Sequence, residues 1–495
     1  MPGEPQSSAG RGQSAAPRDS LDSAVGSNPD PARNPARDPA SDPGSGRSAG
    51  PSHAQSRGPS RRSVLARGAT GTVALGGTAV VGGFVASGGT PAYAGNRSHG
   101  VRTGAQLAAE QEWSMLTGSR LGVFSNPTGV LPDTRHIVDD LAAYADSGIR
   151  LVAAFGPEHG FRGSAQAGGS EGDTTDPRTG VPVYDAYGAE IEDLERMFRK
   201  ARLQTVVFDI QDIGSRFYTY IWTMYRAMAA AARLGLRFVV LDRPNPIGGR
   251  VDGPMMTPGY TSGVGLKQIV QQHGMTVGEL ARFFAGEFLS EDADQPLEPE
   301  IVQLSGWRPG DRAQELGLPW VPPSPNIPTA DSALAYPGTC LFEGTNLSEG
   351  RGTTRPFETV GAPFLDYEWG DRLNAYELPG LEFREAYFVP AFSKHEGDTC
   401  AGVQLHVHDP HEFRPIETAV AMLVEATRYS GFAWRKDDYD PERPFFVDKL
   451  AGSPRLRTMI DTGAPVDEVI GAWTQEAERF ERHRRQYLLY PGRRS

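Results

Sequence analysis

The sequence predicts an α/β fold: a parallel sheet with helices on its faces, followed by a second domain of α+β type. Three observations carry this. Short apolar runs alternate with stretches at helical spacing between residues 121 and 241. Each run finishes in a polar motif punctuated by glycine or proline, which marks the end of a strand. After about residue 265 the alternation stops, and proline-rich and glycine-rich stretches separate isolated helices.

The elements follow in order. Residues 121–124 (LGVF) read as a strand leading into 125–129 (SNPTG). Ile137, Val138, Leu141 and Tyr144 then fall on one helical face, with Asp133 as the expected cap. Residues 151–155 (LVAAF) form an unbroken apolar run, which suits a strand buried on both faces. The run breaks at 156–160 (GPEHG), because Pro157 has no amide donor and the flanking glycines permit unusual dihedrals. A polar loop covers 164–179, and 181–184 (VPVY) is extended. Ile191, Leu194, Met197 and Phe198 mark the next helix. Residues 205–208 (TVVF) form a strand running into 209–214 (DIQDIG), residues 218–234 are helical, and 238–241 (FVVL) ends in 242–246 (DRPNP). In a parallel sheet these strand ends share one edge, the edge where open α/β sheets bind ligands. They bring Asn126, Glu158, Asp209, Asp212 and Asp242 towards one cleft.

In the second half, Thr276 and Glu279 form a capping box that opens a helix reaching Leu289. Residues 318–328 hold too many prolines for regular structure and should wrap a surface or line a cleft. Residues 342–352 (FEGTNLSEGRG) place long polar side chains between glycines, as in a binding loop. A strand is expected at 403–407, with helices at 416–429 and 466–487.

The chain has 495 residues, a net charge of −12 and a pI near 5.4, an acidic balance that argues against nucleic acid as a partner. Its two cysteines, Cys340 and Cys400, exclude a disulfide scaffold and leave one bridge or two buried thiols open. Residues 1–58 are rich in Ser, Pro, Ala, Gly, Arg and Asp and cannot bury enough apolar surface to order themselves. Residues 59–94 carry Arg61 and Arg62, a mild apolar run and the small-x-small site Ala92-Tyr93-Ala94, the pattern of a twin-arginine export signal. The expected division is therefore a leader at 1–58, a signal at 59–94, a first domain at 95–265 and a second at 266–495. Export by this route places the mature protein outside the cytoplasmic membrane or in the cell envelope, with no stable span once the signal is removed.

Two short motifs compete for the chemistry. Residues 168–172 (GGSEG) match the G-x-S-x-G elbow around Ser170, but both flanks read as loop, where the elbow needs a strand and a helix. His406 and His408 share a strand face, a spacing that can bind zinc, without a third ligand in pattern. No G-x-G-x-x-G follows any strand and no P-loop is present, so neither a nucleotide cofactor nor a metal is expected. Tyr218, Tyr220 and Trp222 follow the 209–216 motif closely, and aromatic faces beside carboxylates suit a sugar ring.

Five stretches together, 121–130 (LGVFSNPTGV), 155–163 (FGPEHGFRG), 207–220 (VFDIQDIGSRFYTY), 241–249 (LDRPNPIGG) and 342–352, resemble the exo-β-N-acetylmuramidases of the NamZ type. The resemblance implies a Rossmann-like domain, an active-site cleft between it and the second domain, and release of non-reducing-end N-acetylmuramic acid from peptidoglycan fragments. It implies a catalytic glutamate in GPEHG, hence Glu158. A glycosidase needs a proton donor and a second group as base or nucleophile. Glu158 suits the first role; Asp209 and Asp212 are the leading candidates for the second, with Asp242 and Glu349 behind them. Substrate contacts are expected from Asn126, His159, Tyr218, Tyr220, Asp242, Asn245 and Glu349. The lactyl carboxylate of muramic acid calls for an arginine, from among Arg162, Arg216, Arg351 and Arg355. A serine esterase or peptidase acting through Ser170, or a non-catalytic cell-wall binding protein, are the alternatives.

Overall fold

The computed structural model describes residues 100–490 and 492. Twelve strands are present in this part of the chain: β1 (Arg120–Ser125), β2 (Arg150–Gly156), β3 (Thr174–Thr175), β4 (Pro182–Asp185), β5 (Thr205–Asp209), β6 (Arg237–Leu241), β7 (Asp252–Met255), β8 (Val270–Gln272), β9 (Glu300–Val302), β10 (Thr359–Ala362), β11 (Leu381–Phe388) and β12 (Cys400–Val407). The largest sheet runs β3-β4-β2-β1-β5-β6-β9, all parallel except the short β3. Leaving β3 aside, the chain starts in the middle, steps outward through β2 and β4, then returns beside β1 and steps outward the other way. This is the doubly wound order, and it opens a crevice at the carboxyl ends of β1 and β5, where the winding reverses. Ser125 pairs in register with Asp209 at that point.

Alternation along each strand feeds two layers. Phe124, Phe155 and Phe208 face one side, where Phe124 stacks on Phe155 at 4.6 Å and Phe198 of the helix Ile191–Ala201 meets both edge-on. Val123, Ala154, Val207 and Val239 face the other, beneath the helices Gly104–Glu110 and Ile137–Ala143. The helix Tyr220–Leu234 buries its alanine run, Ala227 and Ala229 to Ala232, against the first layer.

The second sheet is antiparallel, in the order β10-β12-β11, and β7 and β8 make a separate hairpin. The apolar core of the first layer continues without a break through Val360, Val403 and the helix Pro415–Ala426 to Trp473. The described residues lie within one compact unit, and the two sheets share that core.

Several boundaries differ from the sequence reading. The last strand of the large sheet, β9, lies beyond residue 265, so the first domain's sheet draws on the chain past the expected division. Three residues, EIV, are too short a run to signal a strand; pairing with β6 creates it. The first helix after β1 is capped by His136, whose Nδ1 accepts from the Val138 amide, because Asp133 turns its carboxylate to Arg135 instead. The expected helix 466–487 is two, Val466–Gly471 and Thr474–Arg484, parted where Trp473 inserts into the core. Residues 318–328 form no helix or strand, as their prolines require. The export motif at Arg61 and Arg62 and the site Ala92-Tyr93-Ala94 lie outside the described residues. No helix among the described residues is long and apolar enough to cross a membrane.

Candidate active site

Strand β2 ends at Gly156, and the chain turns sharply through Pro157, Glu158 and His159. His159 and Gly160 both adopt left-handed backbone, with φ of 71° and 87°. For histidine this is an uncommon conformation, held here by its amide donating to Gly169 O at 3.0 Å and its carbonyl accepting from the Ala165 amide at 3.2 Å. Gly160 cannot be replaced freely, since a Cβ there would stand 2.2 Å from the Glu171 carboxyl carbon. Glu171 in turn accepts from the amides of Phe161, Arg162 and Ser164, and so closes the loop around the turn.

The turn delivers Glu158 half-exposed at the carboxyl edge of the sheet. One carboxylate oxygen accepts from the Gly168 amide at 2.9 Å and the other from the Thr219 hydroxyl at 2.9 Å. The polar loop after GPEHG thus lies over the glutamate, and the start of the helix Tyr220–Leu234 lies beneath it.

Near Glu158 lie two buried polar atoms, Asn126 Nδ2 and Tyr218 Oη, that make no fully aligned hydrogen bond and face the Tyr220 hydroxyl. Asp212, in the loop after β5, lies close enough to Tyr218 for its charge to act on that hydroxyl, and its Oδ1 is buried and unpaired. Asn126 is held by its other end: its Oδ1 accepts from the Thr128 amide at 3.0 Å and hydroxyl at 2.5 Å, and its carbonyl accepts from His136 Nε2 at 3.0 Å. Tyr218 and Tyr220 meet edge to face at 5.0 Å, and Tyr220 donates to the carbonyl of Pro323 at 2.5 Å. Burial, then the charge of Glu158, pushes the Tyr220 hydroxyl up. Burial, with Tyr220, Glu158 and Asp212 adding to it, holds the Tyr218 hydroxyl far above its ordinary range. Both phenols are therefore neutral donors at any working pH. Tyr336, from the helix Ala330–Thr339, stacks edge-on against Tyr218 at 5.7 Å. The proline-rich stretch and this helix form the wall facing the sheet. Beside them, Thr128, Leu131, Gln211, Pro244, Leu316 and Trp320 line a small, largely apolar hollow of about 50 Å³, partly open to solvent.

A carboxylate at a doubly wound crevice, beside buried polar groups and tyrosines, is the furniture of a sugar site. Two family models match almost the whole of the described chain: exo-β-N-acetylmuramidase NamZ, N-terminal, over residues 121–331, and the C-terminal counterpart over 334–490. The chain belongs to the NamZ family. It is 44% identical over 392 residues to a protein of Bacillus subtilis (strain 168) named peptidoglycan β-N-acetylmuramidase NamZ, covering 79% of this chain and 91% of that one. Two crystal structures of DUF1343 family proteins from Bacteroides fragilis share the fold. One has a TM-score of 0.68 at 32% identity, covering 79% of this chain and 99% of the other. The second has a TM-score of 0.62 at 30% identity, covering 80% and 100%.

Within this NamZ fold several residues expected at the site have their polar atoms engaged elsewhere. Asp209 is fully buried and takes both guanidinium arms of Arg243, at 2.5 and 2.8 Å. Asp242 accepts from Tyr490, Thr276 and the amides of Arg243 and Gly278. Asn245 spends its amide on Met275 O and its carbonyl on the Ile247 amide. Arg216 is wholly buried and donates to the carbonyls of Pro254, Ile269 and Leu450; burial pushes it down to about 9. Arg162 pairs with Asp139 and Asp176, and Arg351 with Glu343 and Glu349. Glu349 also meets Lys394 at 2.8 Å, so it is a buried member of a charge cluster and not an open carboxylate. Arg355 is the most exposed of the four arginines and pairs with Glu358. All these residues lie near strand ends or in the glycine loop, as read from sequence, but tertiary partners claim them.

Of the residues expected from sequence, Asn126, His159, Tyr218 and Tyr220 lie near Glu158, and Asp212 lies near Tyr218; Thr219, Tyr336 and the Gly168 amide join them. Thr219 was legible in principle, as a hydroxyl between the two tyrosines. Ser170 lies in coil on both sides and donates to the Asp185 carboxylate, so the elbow geometry of a serine nucleophile is missing. Among the described residues no three His, Cys, Asp or Glu side chains gather as a metal-ligand set, and His406 instead sits opposite Glu382 on β11. Cys340 and Cys400 are two separate buried thiols.

Proposed function

We propose that this chain is an exo-acting glycosidase that releases non-reducing-end N-acetylmuramic acid from peptidoglycan fragments such as MurNAc-GlcNAc, in cell-wall turnover and recycling. Membership of the NamZ family supports the sugar and the bond. The observation that carries the chemistry is the half-exposed Glu158 carboxylate at the strand end, held by the Gly168 amide and the Thr219 hydroxyl beside buried Tyr218 and Tyr220. Glu158 gives its proton to the glycosidic oxygen as the bond to the anomeric carbon breaks. Asp212 supplies the second carboxylate. Of the aspartates at this edge it alone keeps a buried oxygen without a partner, while each oxygen of Asp209 and Asp242 already accepts a hydrogen bond. Asn126 and the neutral phenol of Tyr218 donate to hydroxyl or acetamido oxygens of the sugar.

Incubating the purified protein with chromogenic β-glycosides of N-acetylmuramic acid and of N-acetylglucosamine tests this reading. Turnover of the first and not the second is expected; equal turnover of both, or of neither, refutes the substrate assignment. The anomer released, read by NMR, tells whether Asp212 acts as base or as nucleophile.

We further propose that the protein leaves the cytoplasm folded, through the twin-arginine route, and works outside the membrane. The support is the Arg61-Arg62 pair and the Ala92-Tyr93-Ala94 site. Replacing both arginines with lysine should trap the precursor in the cell. Unchanged export of that variant removes the proposal.

A further inference from the structure

The loop after β5 is not free-standing. Its residues 212–216 run alongside residues 271–274: the Arg216 amide donates to Gln271 O at 2.8 Å, Ser215 bridges to Gln272, and the His273 amide donates to Gly214 O at 3.3 Å. The second segment is itself clamped, because Arg484 donates to the carbonyls of both His273 and Gly274. This brings a fully buried imidazole, His273, against the carboxylate of Asp212.

The ring orientation is readable. His273 Nδ1 accepts from the Met275 amide at 3.2 Å, so in the neutral ring the proton is on Nε2. Nε2 stands 3.2 Å from Asp212 Oδ2, out of line for a full hydrogen bond, and has no other partner. The Gly214 amide donates to that same oxygen at 2.7 Å. Two donors therefore face Oδ2 and none faces Oδ1, which is buried and unpaired. A buried imidazole N–H with no aligned acceptor is a cost that native structures rarely carry without reason. Contacts at active sites commonly tighten only when substrate is bound.

We propose that His273 is a positioning residue for hydrolysis: with the Gly214 amide it pins Asp212 by Oδ2 and so presents Oδ1 to the anomeric carbon or its attacking water. The inference rests on Asp212 being the second carboxylate. It adds a residue from the chain after β8 that touches no substrate and acts through the aspartate.

Two variants of the full chain separate the two ends of the ring. In His273→Gln the amide nitrogen reaches the Nε2 position and keeps the contact to Asp212, while the contact to Met275 is lost. In His273→Asn the side-chain oxygen reaches only the Nδ1 position, so Met275 keeps its acceptor and Asp212 loses its donor. With the chromogenic muramic acid glycoside, His273→Asn should lose about 10- to 100-fold in kcat with KM within about twofold. His273→Gln should stay within about threefold of wild type in kcat, a rescue that a merely structural role of the ring would not give. Asn at wild-type rates, or Gln as slow as Asn, overturns the proposal. Asp212→Asn is the separate control: if it keeps near-wild-type kcat, the reading of Asp212 fails, and the positioning role falls with it. An inactive Asp212→Asn beside a fully active His273→Asn sinks the positioning role alone.

Discussion

Glu158 and Asp209 are both carboxylates at the carboxyl edge of one sheet, and their surroundings give them different work. Asp209 ends β5 inside the sheet, fully buried, with Arg243 filling both its oxygens. A buried pair of this kind is strongly destabilising to break. Glu158 sits two residues past the end of β2, in a turn that lifts it out of the sheet, and its two partners are a hydroxyl and a loop amide. Glu158→Gln keeps shape and hydrogen bonds but cannot donate a proton to the glycosidic oxygen. Its kcat on a disaccharide should fall about 10²- to 10⁴-fold, with KM and melting temperature little changed. On a nitrophenyl glycoside, whose leaving group needs less protonation, the loss should be smaller. Equal losses on both substrates point to a nucleophile or base, and wild-type rates on both remove Glu158 from the mechanism.

At the scale of the element, the GPEHG turn works because two glycines make room. A Cβ on Gly156 would stand 2.7 Å from the Phe161 amide nitrogen, the backbone that folds back over the strand end. Gly156→Ala must therefore push the turn away from β2. Overpacking of this kind costs roughly 1–3 kcal/mol. The expected outcome is a lower melting temperature together with a kcat loss, since Glu158 moves with the turn. A variant that melts early yet turns over normally shows that the turn and the carboxylate are uncoupled. The glycines and the proline announced this turn in the sequence. That Glu171 and Gly168 tie the following loop back onto it was not legible, because those contacts span ten residues or more of featureless polar chain.

At the scale of the molecule, the end of the chain is fastened to the sheet. Tyr490 donates to Asp242 at the end of β6 and accepts from the Leu304 amide, while Glu279 accepts from the Leu489 amide at 2.8 Å. Burial pushes the Asp242 carboxyl up to about 7, against the hydrogen bonds from Tyr490, Gly278 and Thr276. The folded state therefore holds this proton more tightly than the unfolded chain. The stability this confers is fully present below the unfolded pKa, near 3.8, and is lost as pH rises through about 7. The loss attributable to Asp242 is on the order of a few kcal/mol. Asp242→Asn removes the titration and keeps the fastening: the amide oxygen can face the Arg243 and Gly278 amides, and the hydroxyls of Tyr490 and Thr276 can turn to accept. Urea midpoints measured from pH 5 to 8 should fall more steeply for wild type than for the variant. Parallel curves refute the assignment.

By itself the sequence determined the class of fold, the strand ends and the turn that carries Glu158. The apolar runs at 121–124, 151–155, 205–208 and 238–241 could only be buried strands, and GPEHG had to interrupt one of them. These are local consequences of side-chain period and of proline and glycine backbone chemistry. Tertiary structure decided which of the polar residues at those ends remained available. Arg216, Arg162, Asp209, Asp242 and Asn245 have the residue types a sugar site uses, but each meets a partner from elsewhere in the fold: Leu450, Asp176, Arg243, Tyr490 and Met275. Only the folded chain brings His273 to Asp212, 61 positions away in sequence, across an irregular backbone pairing that no local propensity encodes. The physical reason is the cost of an unpaired buried charge or donor. Folding satisfies most of them through contacts between segments distant in sequence, which no local pattern announces.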